Sequence, residues 1–167
     1  MKPFAKNAVA MPRSKIREIM HIAMEMPDVI HLEVGEPDFP TPAHIVEAAC
    51  AAARGGYTRY TANAGMLSLR EAIVDKLRRY NRIEASVDNV TVTAGGVCAI
   101  ATSLLALMSP GEEILIPELG WPDYDMVIAV NGWMPKRYPL LKEAGFLPDP
   151  DAVRGLITDR TKVLVVN

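Results

Sequence analysis

From residue 90 to residue 167, short continuous apolar segments alternate with helical ones, and this alternation limits the fold more than any other feature. Residues 90–93 (Val-Thr-Val-Thr) are β-branched throughout and read as a strand. Ala94-Gly95-Gly96 breaks it, and residues 97–108 read as a helix. Residues 114–116 form a buried strand, 122–130 a helix, and 134–140 a strand at the sheet margin, because it carries two prolines. Asp149-Pro150 opens a short helix to Ile157, and residues 162–166 form another buried strand. Continuous apolar strands alternating with helices predict an α/β fold with a mostly parallel sheet covered by helices on both faces. In such a sheet, ligands sit at the carboxyl ends of the strands.

The first half is more helical. Ser14 is placed to cap a helix running to about residue 26, with Ile16, Ile19, Met20, Ala23 and Met24 along one stripe. Pro27-Asp28 ends it, and residues 29–32 are a short strand candidate. Residues 35–42 hold three prolines and a glycine, so they form a stiff extended loop. Thr41-Pro42 is a cap and first-turn pair for a helix to about residue 54, stopped by Gly55-Gly56. Ser68-Leu69-Arg70-Glu71 has the form of a capping box, with Leu69, Ile73, Leu77 and Tyr80 on one face of the helix it opens.

Composition narrows the function classes. The 18 basic and 20 acidic residues give a net charge of −2, without the basic stripe that nucleic-acid binding requires. The longest apolar stretch, residues 97–108, falls short of the roughly 20 residues of a membrane helix. The first ten residues lack the apolar run of a signal peptide. Cys50 and Cys98 are far apart and in no metal-ligand spacing, which fits reduced thiols in a cytoplasmic protein. His21, His31 and His44 are not spaced as metal ligands. Asp88, Glu112 and Glu113 adjoin strand starts and read as solvated.

The junction at residues 90–99 runs strand, glycines, helix. Glycines let backbone approach an anion, and the free amides and positive dipole end of the first helical turn then point at it. It is neither the Walker pattern nor the dinucleotide G-x-G-x-x-G. On these residues alone, a tight turn with close helix–strand packing accounts for the glycines equally well. Cys98, beside the helix start, reads as a small packing residue.

Four segments together resemble the class I/II aminotransferases, which depend on pyridoxal 5'-phosphate (PLP). They are Gly35-Glu36-Pro37-Asp38-Phe39; Tyr60-Thr61-Ala62-Asn63-Ala64-Gly65 with Leu69-Arg70-Glu71-Ala72-Ile73; Thr93-Ala94-Gly95-Gly96 with Ala99; and Pro117 followed by Trp121-Pro122-Asp123-Tyr124. The resemblance covers essentially the whole chain. It implies the N-terminal part of the fold type I large domain plus an N-terminal arm. Residues 1–45 would be arm and small-domain segment, and residues 46–167 an incomplete PLP-binding large domain. It implies that Gly95, Gly96 and Val97 cradle the cofactor phosphate, Val97 through its amide alone, where many relatives have a hydroxyl or a lysine. Trp121 matches the aromatic that stacks on the pyridine ring; the competing reading is a core aromatic. Tyr60 resembles the tyrosine that reaches across a homodimer to the neighbouring phosphate. Gly35 resembles the glycine beside the substrate carboxylate.

The resemblance also implies transfer of an amino group from an amino acid to a 2-oxo acid, in two half-reactions. No catalytic residue is assigned within the chain: none of its lysines sits in the family's lysine motif, and the Schiff-base lysine is expected beyond Asn167. The 167 residues are accordingly expected to be an inactive fragment of an active parent. Other fold type I PLP enzymes, such as a C–S lyase or a synthase, share these motifs. A PLP-sensing domain of a transcription regulator is the non-enzymatic alternative.

Overall fold

The structure, a computed structural model, describes residues 2–167. Its elements in chain order are α1 (Lys6–Val9), α2 (Lys15–Met24), α3 (Ala43–Arg54), α4 (Leu67–Lys76), α5 (Gly96–Leu107), β1 (Glu113–Pro117), α6 (Asp123–Asn131), β2 (Met134–Tyr138), α7 (Pro150–Leu156) and β3 (Thr161–Leu164). They divide into two compact units. One comprises the chain up to Val34 together with Ile100–Asn167; the other is Gly35–Ala99.

The first unit is built on a parallel sheet of order β2-β1-β3, so the fold is α/β with parallel strands, as the alternation predicts. β1 is central and all five of its residues are buried, which explains its unbroken apolar run after Glu113. β2 is an edge strand and tolerates Pro135, whose missing N–H costs no ladder bond on the open side. Ile114 and Ile116 point to one face, following the two-residue period of a strand. There they meet Leu104 of α5, Met108, Tyr124 and Ile128 of α6, and Trp133, with Val163 and Val165 packed alongside. The Tyr138 hydroxyl donates to the Val165 carbonyl at 2.7 Å. Gly132, at φ +70°, ends α6 and turns the chain into β2. Asp149 caps α7, its carboxylate accepting from the Asp151 amide at 2.9 Å.

The second unit holds α3, α4 and the extended segment that leads into α5. α4 passes into a single π-helical turn, Leu77–Asn81, ended by Arg82 in the left-handed region. A 3-10 turn, Val87–Asn89, follows, closed by Ser86 and Asn89. Among the described residues of this unit only Val90 is buried.

Several local expectations change. Ser14 does cap α2, accepting from the Arg17 amide at 3.4 Å, and α2 ends at Met24. Residues 29–32 form no strand: Ile30 and Leu32 are 83% and 85% exposed and no ladder partner faces them. A short apolar run specifies a strand only when a second strand supplies its hydrogen bonds. Residues 90–93 are extended but unpaired for the same reason; Val92 makes one backbone bond, to the loop carbonyl of Ala64 at 3.0 Å. The capping box at Ser68 does not form, because α4 starts two residues earlier, with Met66 at the cap position. Pro42 rather than Thr41 occupies the cap position of α3. Glu113 is buried, not solvated; its surroundings are described below.

Candidate functional site

The glycine junction is a closed turn with an open face. The Gly95 amide donates to the Thr93 carbonyl at 2.9 Å, and the Thr93 hydroxyl donates to the Gly95 carbonyl, also at 2.9 Å. Gly95 sits at φ +90°, a conformation that L side chains resist. Its carbonyl accepts from the Ala99 amide at 3.2 Å, the first bond of α5. The amides of Gly96 and Val97 therefore stand in the first turn, where no carbonyl one turn back can accept them. A Cβ built on Gly95 or Gly96 would meet no atom within 4 Å. Gly96 is thus not dictated by crowding within the protein; it leaves backbone bare toward free space. Val97 is 45% exposed and apolar, so only its amide can serve an anion. A backbone cradle at a helix start, with its dipole aligned, fits a phosphate.

Tyr60 projects wholly into solvent, beside Thr58 and Arg59. Gly35 lies in the extended loop with nothing within 4 Å of its Cβ direction and without a left-handed φ. Gly35, Tyr60, Gly95, Gly96 and Val97 all belong to the Gly35–Ala99 unit, where the last three are contiguous and the first two stand on separate loops.

Trp121 belongs to the other unit, on the loop that leaves the carboxyl end of β1. Gly120 makes that loop possible: a Cβ there would fall 2.9 Å from Cγ of Pro117 and 3.3 Å from its carbonyl oxygen. Trp121 is half-buried, packed against the core, and meets Tyr124 edge-to-face with ring centroids 5.5 Å apart and planes at 88°. Core packing and a part-open indole are thus combined in one residue.

Glu113 is the buried charge that sequence reasoning placed in solvent. It opens β1, at the end opposite Trp121, and its side chain is 2% exposed. Lys136 Nζ approaches it at 2.9 Å, Arg160 Nη2 at 2.7 Å, and the Thr158 hydroxyl donates to it at 2.6 Å. The Thr158 hydrogen bond, then those of Lys136 and Arg160, hold its carboxyl down at about 2 against the opposing effect of burial. One signal was legible: an acid that opens a run of buried apolar residues needs partners, and Thr158, Arg160 and Lys136 adjoin the neighbouring strands.

Elsewhere the polar chemistry is sparse. His31 Nδ1 lies 2.7 Å from Glu33 Oε1, and this contact lowers the Glu33 carboxyl below its ordinary range. Both cysteines are exposed, and no disulfide joins them. Among the described residues no group of His, Cys, Asp or Glu could hold a metal ion, and no helix is long and apolar enough to cross a membrane.

Comparison with known proteins gives a consistent answer. Residues 27–167 match the family described as aminotransferase class I and II. An aspartate aminotransferase of Pyrococcus horikoshii is 40% identical over 163 residues, covering 98% of this chain and 42% of the relative. An aspartate/prephenate aminotransferase of Thermus thermophilus is 39% identical over 167 residues, covering 100% of this chain and 42% of its own length. A solved structure of aspartate aminotransferase from Thermus thermophilus with maleate matches at a TM-score of 0.94 and 36% identity, over 99% of this chain and 44% of that one. The chain thus spans less than half the length of these relatives.

Proposed function

The chain belongs to the class I and II aminotransferases, and from that premise we propose that the complete protein transfers an amino group from an amino acid to a 2-oxo acid, with PLP as cofactor. The observation that supports this most is the cradle: Gly95 held at φ +90°, bare backbone over Gly96, and the Gly96 and Val97 amides in the first turn of a helix. When bound, PLP supplies an electron sink for the α-carbon of the amino acid. The Gly96 and Val97 amides would hold its phosphate, with Gly95, its own amide donated to the Thr93 carbonyl, shaping the turn, and the dipole of α5 would favour the negative charge. Trp121 would offer a flat polarizable face to the cofactor ring, its own indole held by the edge-on contact with Tyr124. Tyr60, fully exposed, presents its hydroxyl to the phosphate of a second subunit in a homodimer. Gly35 leaves room for the substrate carboxylate to lie against backbone.

Residues 1–45 then serve as arm and small-domain segment, and 46–167 as part of the PLP-binding domain. None of these 167 residues is assigned as the Schiff-base lysine. Aspartate is the first amino donor to test, because the relatives quoted above carry it in their names. The cytoplasm is the proposed compartment.

Equilibrium titration of the cofactor-free complete protein with PLP tests the site. Gly96→Val puts a β-branched side chain where phosphate must approach, and should weaken PLP binding. Unchanged affinity in that variant would exclude the cradle.

A further inference from the structure

The segment that carries the cradle is fastened to α4 and to the loop that precedes it. Residues 90–93 are extended, and contacts from residues 64–70 reach this segment and the turn before it. Arg70, in the first turn of α4, supplies two. Its Nε donates to the Val90 carbonyl at 2.9 Å and its Nη2 to the Val87 carbonyl at 2.6 Å. The guanidinium side chain is only 15% exposed, so most of its hydration has been exchanged for these carbonyls. Asp88 lies 3.9 Å from Nη2 but is wholly exposed, and a pair of that kind contributes little. The planar fork of arginine suits the task, since it spans two carbonyls with fixed geometry where lysine offers a single rotating point charge.

A third anchor lies on the same stretch of chain. The Ala64 carbonyl accepts from the Val92 amide at 3.0 Å, and Gly65, at φ +96°, lies so close that a Cβ there would fall 2.8 Å from Cβ of Val92. Residues 64–70 thus hold Val87, Val90 and Val92, and the turn at Thr93 and Gly95 follows at once. Anion binding by backbone amides is sensitive to small displacements, because each bond loses strength with length and angle.

We propose that Arg70 is a positioning residue for the phosphate cradle: it fixes the segment that carries Gly95, Gly96 and Val97, so that affinity for the cofactor's phosphate depends on a side chain that does not touch it. The proposal rests on the reading of that turn as the cradle.

The test compares PLP with pyridoxal, which lacks the phosphate, on the cofactor-free complete protein and its Arg70→Met and Arg70→Lys variants. Arg70→Met should lose about tenfold in PLP affinity, the scale set by removing charge-assisted hydrogen bonds, with pyridoxal affinity unchanged. Arg70→Lys should recover part of the loss. A merely structural role would weaken both ligands by the same factor, or shift the melting midpoint and leave both affinities alone; either result overturns the proposal. If Arg70→Met does not fold, Arg70→Lys carries the same comparison. Gly96→Val is run in parallel. If it lowers the preference for PLP while the Arg70 variants do not, the cradle stands and the role of Arg70 falls. If Gly96→Val leaves that preference intact, the cradle reading fails and the proposal with it.

Discussion

Trp121 and Trp133 bracket α6, and their burial separates what each can do. Trp133 is 4% exposed and sits within the core cluster, so Trp133→Ala should cost about 3–5 kcal/mol of stability in a denaturant melt of the complete protein. Trp121 keeps part of its ring open beside Tyr124. On the proposed reading, Trp121→Ala should weaken PLP by about two- to twelvefold, the equivalent of ~0.5–1.5 kcal/mol for an aromatic contact, and change the absorbance of the bound cofactor. Wild-type affinity and spectrum would exclude the stacking role. Trp121 lies between Gly120 and Pro122, which the sequence reads as off a regular apolar face, and the structure nonetheless packs part of its ring against the core. Glu113 was not legible in the same way: its partners are contributed by other strands and by loop residues 158–161, and no local pattern reports which residues a sheet register will bring together.

Elements follow the same division. Helices α2 to α7 and β1, β2 and β3 were readable from periodicity, apolar runs and turn residues, since those signals lie within each segment, whereas α1 was not read and β3, expected to be buried, alternates half-buried with exposed residues. The unpaired extended segments at 29–32 and 90–93 were not, because a strand exists only with a partner. Glu113 ties the amino ends of all three strands, through Lys136 on β2 and through Thr158 and Arg160 before β3. Its carboxyl in the folded protein is depressed from 4.5 to about 2, so its contribution is complete above the ordinary carboxylate range and is lost as pH falls toward about 2. Glu113→Gln should therefore lower the melting midpoint most at neutral pH, with the gap to wild type narrowing through that acid window. The exposed control Glu143→Gln should show little change at any pH. A gap for Glu113→Gln that is independent of pH would contradict the ion-cluster account. At the turn into α5, Gly95→Ala forces a side chain into φ +90° and should cost roughly 1–3 kcal/mol, measured by the same melts.

At the scale of the whole chain, the two units differ in what they bury. One encloses a core around β1, whereas in Gly35–Ala99 only Val90 is buried among the described residues. Ile19 and Ile22 of α2 are 58% and 61% exposed, and Tyr60 fully so. Apolar surface of this extent calls for a partner. The 167 residues expressed alone should therefore self-associate, seen as light scattering that rises with concentration; a stable monomer would contradict that expectation. The central claim concerns nitrogen. The complete protein is incubated with PLP, 2-oxoglutarate and, one at a time, 15N-labelled amino acids beginning with aspartate, and the nitrogen is followed by mass spectrometry. The account predicts 15N-glutamate that forms only when PLP is present. Label appearing as ammonium for every donor tried, with none in glutamate, would identify a PLP lyase or synthase and contradict it.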